Sequence, residues 1–235
     1  MTYSDIESTL VRSLDLTYRP VAVSFVDTPP AGIPEFKGEV PSGCTFWQLA
    51  SEGRSFYTSA KDHYNCAVGC HTHNIALPKE RESELMSTVG FMVEVGYIKM
   101  EEVPGIARME KASRHVVYTP LAVVKIDPAV VIVRGAPGKL MLLQEAAYRA
   151  GAKVESPLLA RPTCMAIPAA LTSGTTMSTG CVGNRVYTQL NDNELYVMVP
   201  GADLARIADQ LQTILSANAT LTDYHSKRKK ELTHV

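Results

Sequence analysis

The chain carries no surplus of charge. Lys and Arg number 23 against 24 Asp and Glu, a formal net charge of -1, and a nucleic-acid partner ordinarily asks for a basic patch. It has a single short basic run, Lys227-Arg228-Lys229-Lys230, in a position that suits a solvated helix end, where cations are favoured. Long hydrophobic runs are also lacking. No segment reaches the roughly 18–20 uninterrupted apolar residues of a membrane span. Asp5, Glu7, Arg12 and Asp15 break up the first 20 residues, which excludes a signal-peptide pattern there. A cytoplasmic protein is expected, with no nucleic-acid and no membrane partner. Cysteine is scarce and odd in number, five in 235 residues. That count, in a reducing compartment, argues for thiols, thiolate ligands or a catalytic group and against a disulfide framework.

What is present is unevenly spread. The stretch His63-Tyr64-Asn65-Cys66-Ala67-Val68-Gly69-Cys70-His71-Thr72-His73 holds two of the five cysteines and three of the six histidines. Thiolates and imidazoles at that density point to a transition metal, an iron–sulfur cluster or a haem. A second concentration is Arg161-Pro162-Thr163-Cys164 followed by Ser178-Thr179-Gly180-Cys181-Val182-Gly183-Asn184-Arg185. Glycines on both sides of Cys181 let backbone approach a bulky group and present N–H to sulfur. Arg185 can offset thiolate charge.

Four cysteines in separate loops, Cys44, Cys66, Cys164 and Cys181, suffice for a cluster of the four-iron, four-sulfur type. Cys70 is a fifth candidate ligand, with His63 in the surroundings. Alternatives stay open at this point. His71 or His73 is a candidate axial ligand for a non-covalent haem or another tetrapyrrole, in a carrier or sensor. The run from Cys66 to His71 is one residue too long for covalent haem attachment, and paired zinc knuckles are absent. A cofactor-free thiol enzyme would use Cys66 as nucleophile with His63 as base. Gly135-Ala136-Pro137-Gly138-Lys139 fails the phosphate-binding loop pattern, since Leu140 follows the lysine.

Periodicity predicts helices over residues 5–16, 44–52, 79–95 and 140–151, and another carrying Leu204, Ile207, Leu211, Ile214 and Leu215. Strands are predicted over residues 20–27, 56–58, 120–127, 129–133 and 194–199. A polar tail is expected over residues 221–235, with His225 and His234 solvated. Pro20 to Asp27 matches Pro120 to Asp127 at Pro, Ala, Val and Asp, 100 residues apart. Gly53 and Cys66 recur as Gly151 and Cys164, Met86-Ser87-Thr88 as Met177-Ser178-Thr179, and Val103-Pro104-Gly105 as Val199-Pro200-Gly201. The expected fold is therefore α/β, two similar halves (residues 1–115 and 116–220) with mixed sheets about a pseudo-twofold junction. A cofactor would sit at that junction.

The pattern Cys44-x-x-Trp47, His63-x-Asn65-Cys66-x-x-Gly69, Arg161-Pro162-x-Cys164 and Gly180-Cys181-x-Gly183-x-Arg185 resembles domain of unknown function family 169, uncharacterised proteins widespread in anaerobic bacteria and archaea. The resemblance covers residues 5–215. It implies Cys44, Cys66, Cys164 and Cys181 as the shared set, with Cys70 an addition of this chain. The expected function is iron–sulfur redox or electron-transfer chemistry, with oxidoreductase activity as its enzymatic form. Its expected partner is a redox protein, and association with further copies of the chain is left open.

Overall fold

Two β-rich runs begin the architecture. Val21–Val26 (β1) and Val130–Gly135 (β4) pair antiparallel through Val21↔Ile132, Ala22↔Val131 and Val23↔Val130. Both are rich in β-branched residues and buried on both faces, which accounts for their unbroken hydrophobicity. His115–Pro120 (β3) flanks β1, and Phe56–Ser59 (β2) flanks β3. On the other side Leu195–Pro200 (β6) flanks β4, and Thr176–Ser178 (β5) flanks β6. In this computed structural model, which describes residues 1–154 and 158–232, the six strands form one sheet in the order β2-β3-β1-β4-β6-β5. Every strand pairing in it is antiparallel.

The expected mixed sheets are thereby corrected to a single antiparallel sheet. The reason lies in the crossovers. β1 and β2 run the same way and are joined through the helix Cys44–Ser51 (α2), as in a parallel βαβ unit, but β3 inserts between them and runs against both. β4 and β5 are separated by β6 in the same manner. Helix–strand alternation along the sequence mimics a parallel sheet, because the inserted strand comes later in the chain.

Alternation along the strands divides the core in two. Ala22, Val131, Val133, Val197 and Val199 face Tyr3–Leu14 (α1), Pro137–Arg149 (α5) and Gly201–Leu232 (α8), whose Leu10, Leu143, Leu204 and Leu211 complete that layer. Val23, Val116, Tyr118, Ile132, Tyr196 and Met198 face the opposite way. They meet Phe46 and Trp47 of α2, Ile167 and Ala170 of Ala166–Ser173 (α6), and Cys44 and Cys164. The cysteines thus lie on the face that the long helices leave free.

The two triplets of strands have the same internal register. Val21↔Pro120 and Phe56↔Tyr118 on one side correspond to Val130↔Pro200 and Thr176↔Met198 on the other. Each triplet closes alike: Leu121 N–H donates to the Pro20 carbonyl at 2.9 Å, and Gly201 N–H to the Ala129 carbonyl at 2.9 Å. These correspondences differ from the sequence matches. Pro20–Asp27 contains β1, whereas Pro120 ends β3 and Leu121–Val123 is a 3-10 turn. Met86 to Thr88 is helical, in Lys79–Glu94 (α4), while Met177 and Ser178 are strand.

Two further expectations change. α8 continues to Leu232, so residues 221–232 are helix and not an irregular tail. Its His225 is exposed, and Lys227 to Lys230 form an exposed helix end; His234 lies outside the described residues. α4 exists where predicted, but only Val89 of it is buried, and Met86 and Phe91 are exposed. Among the described residues no helix is long and apolar enough to cross a membrane.

Arg134 of β4 ties the cysteine-bearing face together. Its guanidinium, 4% exposed, donates to Glu194 at 2.6 Å, to Gln48 of α2 at 2.9 Å, and to the carbonyls of Thr188 and Gln189 at 3.0 and 2.8 Å. It also lies over the Tyr18 ring, 4.1 Å from the centroid. Breaking a buried pair from one side leaves the other partner's charge unmatched. Arg134→Met is therefore expected to lower unfolding free energy by about 3–5 kcal/mol, read as an earlier urea midpoint at an unchanged slope.

Candidate functional site: a buried four-thiol centre

Each candidate cysteine stands at or beside the start of a short helix. Cys44 opens α2, 12 residues before β2 begins, and Cys164 lies in the turn Thr163–Met165 before α6, 12 residues before β5 begins (56−44 and 176−164). Cys66 caps Ala67–Thr72 (α3) just after β2, and Cys181 caps Val182–Thr188 (α7) just after β5. Each triplet of strands thus places one cysteine before its outer strand and one after it.

The four side chains influence one another electrostatically. Cys44 feels the charge of Cys164, Cys66 and Cys181; Cys164 feels Cys66 and Cys181; and Cys66 feels Cys181. Every pair within the set is therefore within electrostatic reach. Cys44 and Cys164 are buried, and Cys66 and Cys181 are half-buried. Burial pushes the thiols of Cys44, Cys164 and Cys66 upward, and neighbouring sulfurs push further. Opposing this, the Gly43 and Gly69 amides face the Cys66 sulfur and favour its thiolate. Gly69 is required there, since a Cβ would stand 2.8 Å from that sulfur. Cys181 N–H donates to Thr163 Oγ1 at 2.6 Å, linking the two cysteine loops of the second triplet.

Other candidates fall outside this set. Cys70 is fully buried and donates to the His63 carbonyl at 3.2 Å. Its thiol is pushed up to about 12 by burial and by Cys66. His71 is half-buried, held below its ordinary value by burial and by Arg108. Arg185 directs its guanidinium to the Thr179 carbonyl at 2.7 Å, the Asn191 carbonyl at 3.1 Å and Asp192 at 3.3 Å. It braces the Gly180–Cys181 turn against the loop after α7, and its charge is spent there. Among the described residues no three His, Cys, Asp or Glu side chains stand in the geometry for one bound ion.

His63 and His73 form a buried pair with ring centroids 6.2 Å apart, and His73 packs its edge on Phe25. The Thr58 hydroxyl gives its only proton to the Val116 carbonyl at 3.1 Å, so the 2.8 Å contact to His63 Nε2 makes that nitrogen the donor. His63 Nδ1 is then a bare acceptor without a partner, and neither nitrogen of His73 has one. Trp47 Nε1, the Tyr118 hydroxyl and both amide atoms of Asn184 share this condition. All lie on the cysteine-bearing face. An unpaired buried polar group costs about 1–3 kcal/mol; Thr119 Oγ1, next to Tyr118 in β3 and so on the other side of the sheet, is unpaired as well, and the condition is therefore not confined to this face. Sequence reasoning did not single out Tyr118 or Asn184. Asn184 stood within a run already picked out for its cysteine, whereas Tyr118 alternates with valines in β3 and carries no local signal.

Taken together, fold and site define a mixed α/β protein, one antiparallel sheet flanked by helices, with a four-thiol centre on one face. The model of domain of unknown function family 169, described as an uncharacterised ArCR, matches residues 9–210, and the chain belongs to that family. No curated protein and no solved structure matches it.

Burial holds the pKa of His63 down to about 3 and that of His73 to about 4. Both are neutral in the fold, while in the unfolded chain they bind a proton below about 6.5. The unfolded state therefore takes up protons first, and stability falls as pH drops from about 6.5 toward 4. The expected slope of unfolding free energy against pH approaches two protons in that window. His73→Phe should reduce it by one, as measured by denaturation at a series of pH values.

Proposed function

We propose that this protein holds an iron–sulfur cluster on Cys44, Cys66, Cys164 and Cys181 and serves redox or electron-transfer chemistry. The observation that carries the reading is that four thiols from four separate loops, two buried and two half-buried, lie in mutual electrostatic reach on a face that also holds unpartnered polar atoms. Four thiolates are the usual protein ligands of such a cluster. A single tetrahedral zinc would need its sulfurs about 3.8 Å apart, from Zn–S bonds of about 2.3 Å, and a polynuclear group spreads them further. The mutual electrostatic reach of the four thiols supports a group that all four could share. When bound, the cluster would supply one-electron transfer. The chain's part is to present four deprotonated sulfurs, to exclude water with Phe46, Trp47 and Tyr118, and to aim N–H groups at sulfur from Gly43 and Gly69.

We further propose that the two triplets of strands are two similar halves about a pseudo-twofold axis, each contributing two ligands. The equal registers support it, as does the equal 12-residue spacing of Cys44 and Cys164 to their outer strands. Under this relation Cys44 corresponds to Cys164 and Cys66 to Cys181. The electron would come from, or go to, a partner redox protein, and a cytoplasmic setting would keep the thiols reduced.

The other readings draw less support. For haem, His71 stands in the electrostatic reach of the Arg108 cation, and His73 packs against Phe25 and His63. For a thiol enzyme, His63 donates through Nε2 to Thr58, and burial makes it a poor base.

The test is a visible spectrum with iron and acid-labile sulfide analysis on protein purified without oxygen. Broad visible absorption with iron and sulfide in comparable amounts is the expected result. A sharp Soret band without sulfide, or a colourless metal-free protein, would sink the assignment. Cys66→Ser and Cys181→Ser should each lose most of the bound iron, while Cys70→Ser should keep it; full occupancy in the first two would remove them as ligands. Gly69→Ala, whose methyl would displace the Cys66 sulfur, should reduce occupancy without touching a ligand.

A further inference from the structure

The sulfurs of the centre come in matched pairs, but the groups around them do not. In the shared register Tyr118 pairs with Phe56, and its counterpart Met198 pairs with Thr176. Counting from the capping cysteines, Gly69 stands three residues after Cys66, and Asn184 three after Cys181. One position of each couple therefore bears a side-chain hydrogen-bond donor, and the other does not.

Both donors are buried and lie in the electrostatic or hydrogen-bonding neighbourhood of cysteine sulfur. Tyr118 is 0% exposed, stacks on Phe46 of the cysteine-bearing face, and its hydroxyl has no partner. The same ring lies in the electrostatic reach of Cys44, Cys66, Cys164 and Cys70. Asn184 is 2% exposed and faces the Cys44 sulfur and the Tyr196 hydroxyl without closing a hydrogen bond of good geometry to either. Its polarity can be assigned. Thr188 Oγ1 donates to the Asn184 backbone carbonyl at 2.8 Å, so the Tyr196 hydroxyl donates to Thr188 at 3.1 Å and its oxygen is left to accept. The Asn184 amide NH2 is then the group that faces both Tyr196 oxygen and Cys44 sulfur. Its carbonyl oxygen sits against Gly180, where an added Cβ would come within 2.8 Å of it.

We infer that Tyr118 and Asn184 donate hydrogen bonds to the sulfurs of the loaded centre and set its reduction potential. The inference rests on the iron–sulfur reading above. A donor to a cluster or ligand sulfur withdraws electron density and favours the reduced state. The polar atoms that the bare fold leaves unpaired would find their partners in the sulfur of the bound group. Tyr118 and Asn184 are thus positioning and tuning residues, and the four cysteines hold the cluster.

The experiment compares Tyr118→Phe, Asn184→Leu and Met198→Leu with the unaltered protein, all purified without oxygen. Iron, acid-labile sulfide, the reduction potential of the loaded protein and the thermal midpoint of the cluster-free protein are measured. Iron and sulfide should stay at the unaltered level. The reduction equilibrium should move about tenfold toward the oxidised form in Tyr118→Phe and in Asn184→Leu, which is 59 mV for a one-electron couple. Met198→Leu should leave it in place. In the cluster-free protein Tyr118→Phe should not lower the thermal midpoint, because it deletes a hydroxyl that has no partner there. Should Asn184→Leu perturb folding, Tyr118→Phe, which keeps the ring, still decides the matter. Iron and sulfide present with the potential unmoved in both variants would overturn the inference and leave the cluster reading standing. A destabilised cluster-free Tyr118→Phe would overturn it too, by giving the hydroxyl a partner within the protein. Absence of iron and sulfide from the unaltered protein would overturn both.

Discussion

The pairing of β1 with β4 is the constraint on which the rest depends. These strands are buried on both faces and meet only through Val21↔Ile132 to Val23↔Val130. A one-residue slip would turn every side chain of one triplet to the opposite face. Val23 and Ile132 would leave the layer that holds Cys44 and Cys164, and the loops that carry the four cysteines would no longer converge. The residues that enforce the register are ordinary valines and isoleucines, far from any chemistry. Arg134 adds a polar lock. It joins β4 to α2, to the end of α7 and to Glu194, so both the helix that begins with Cys44 and the helix capped by Cys181 are referred to one guanidinium.

Sequence patterning carried the local elements well. The apolar run around β4, the strand ending at Pro200 and the amphipathic helix beginning at Gly201 stand close to where periodicity places them. The long-range order was not legible, for a definite reason. A split βαβ unit and a plain one have the same order of helices and strands, and only the late arrival of β3 and β6 tells them apart. Pro120 illustrates the difficulty. It closes β3, but read forward with Leu121 to Asp127 it looks like the start of a strand; in the fold those residues turn out of the sheet. α4 shows the opposite failure: its periodicity makes a helix, but burial is decided by what lies beside it.

Four cysteines in separate loops with glycine nearby are an uncommon composition, and the sequence displays that directly. How they would pair between the proposed halves is not legible there. Spacing from the glycines Gly53 and Gly151 aligns Cys66 with Cys164, whereas the strand registers align Cys44 with Cys164 and Cys66 with Cys181. Loops drift in length more readily than strand registers, since inserting residues into a loop costs little and shifting a ladder costs an entire face. The stretch from the end of α3 to β3, which holds α4, has no counterpart of similar length between α7 and β6. An insertion of that size would be enough to hide the proposed relation between the halves from residue counting.

Unpartnered groups then take on a consistent meaning. A stable core would not gather Trp47 Nε1, the His73 ring, the Tyr118 hydroxyl and the Asn184 amide beside the cysteines, because each is left without a hydrogen bond that water once supplied. Burial also favours the neutral thiols of Cys44 and Cys164, so binding of the proposed cluster would release protons and satisfy donors in one step. The bare fold therefore carries a cost at the cysteine-bearing face, and a bound group that accepts from N–H and O–H donors relieves it. Because the cost sits on the same face as Arg134, binding there would stabilise β4, α2 and α7 together. Were the proposed cluster held there, cofactor content and global stability would rise and fall together.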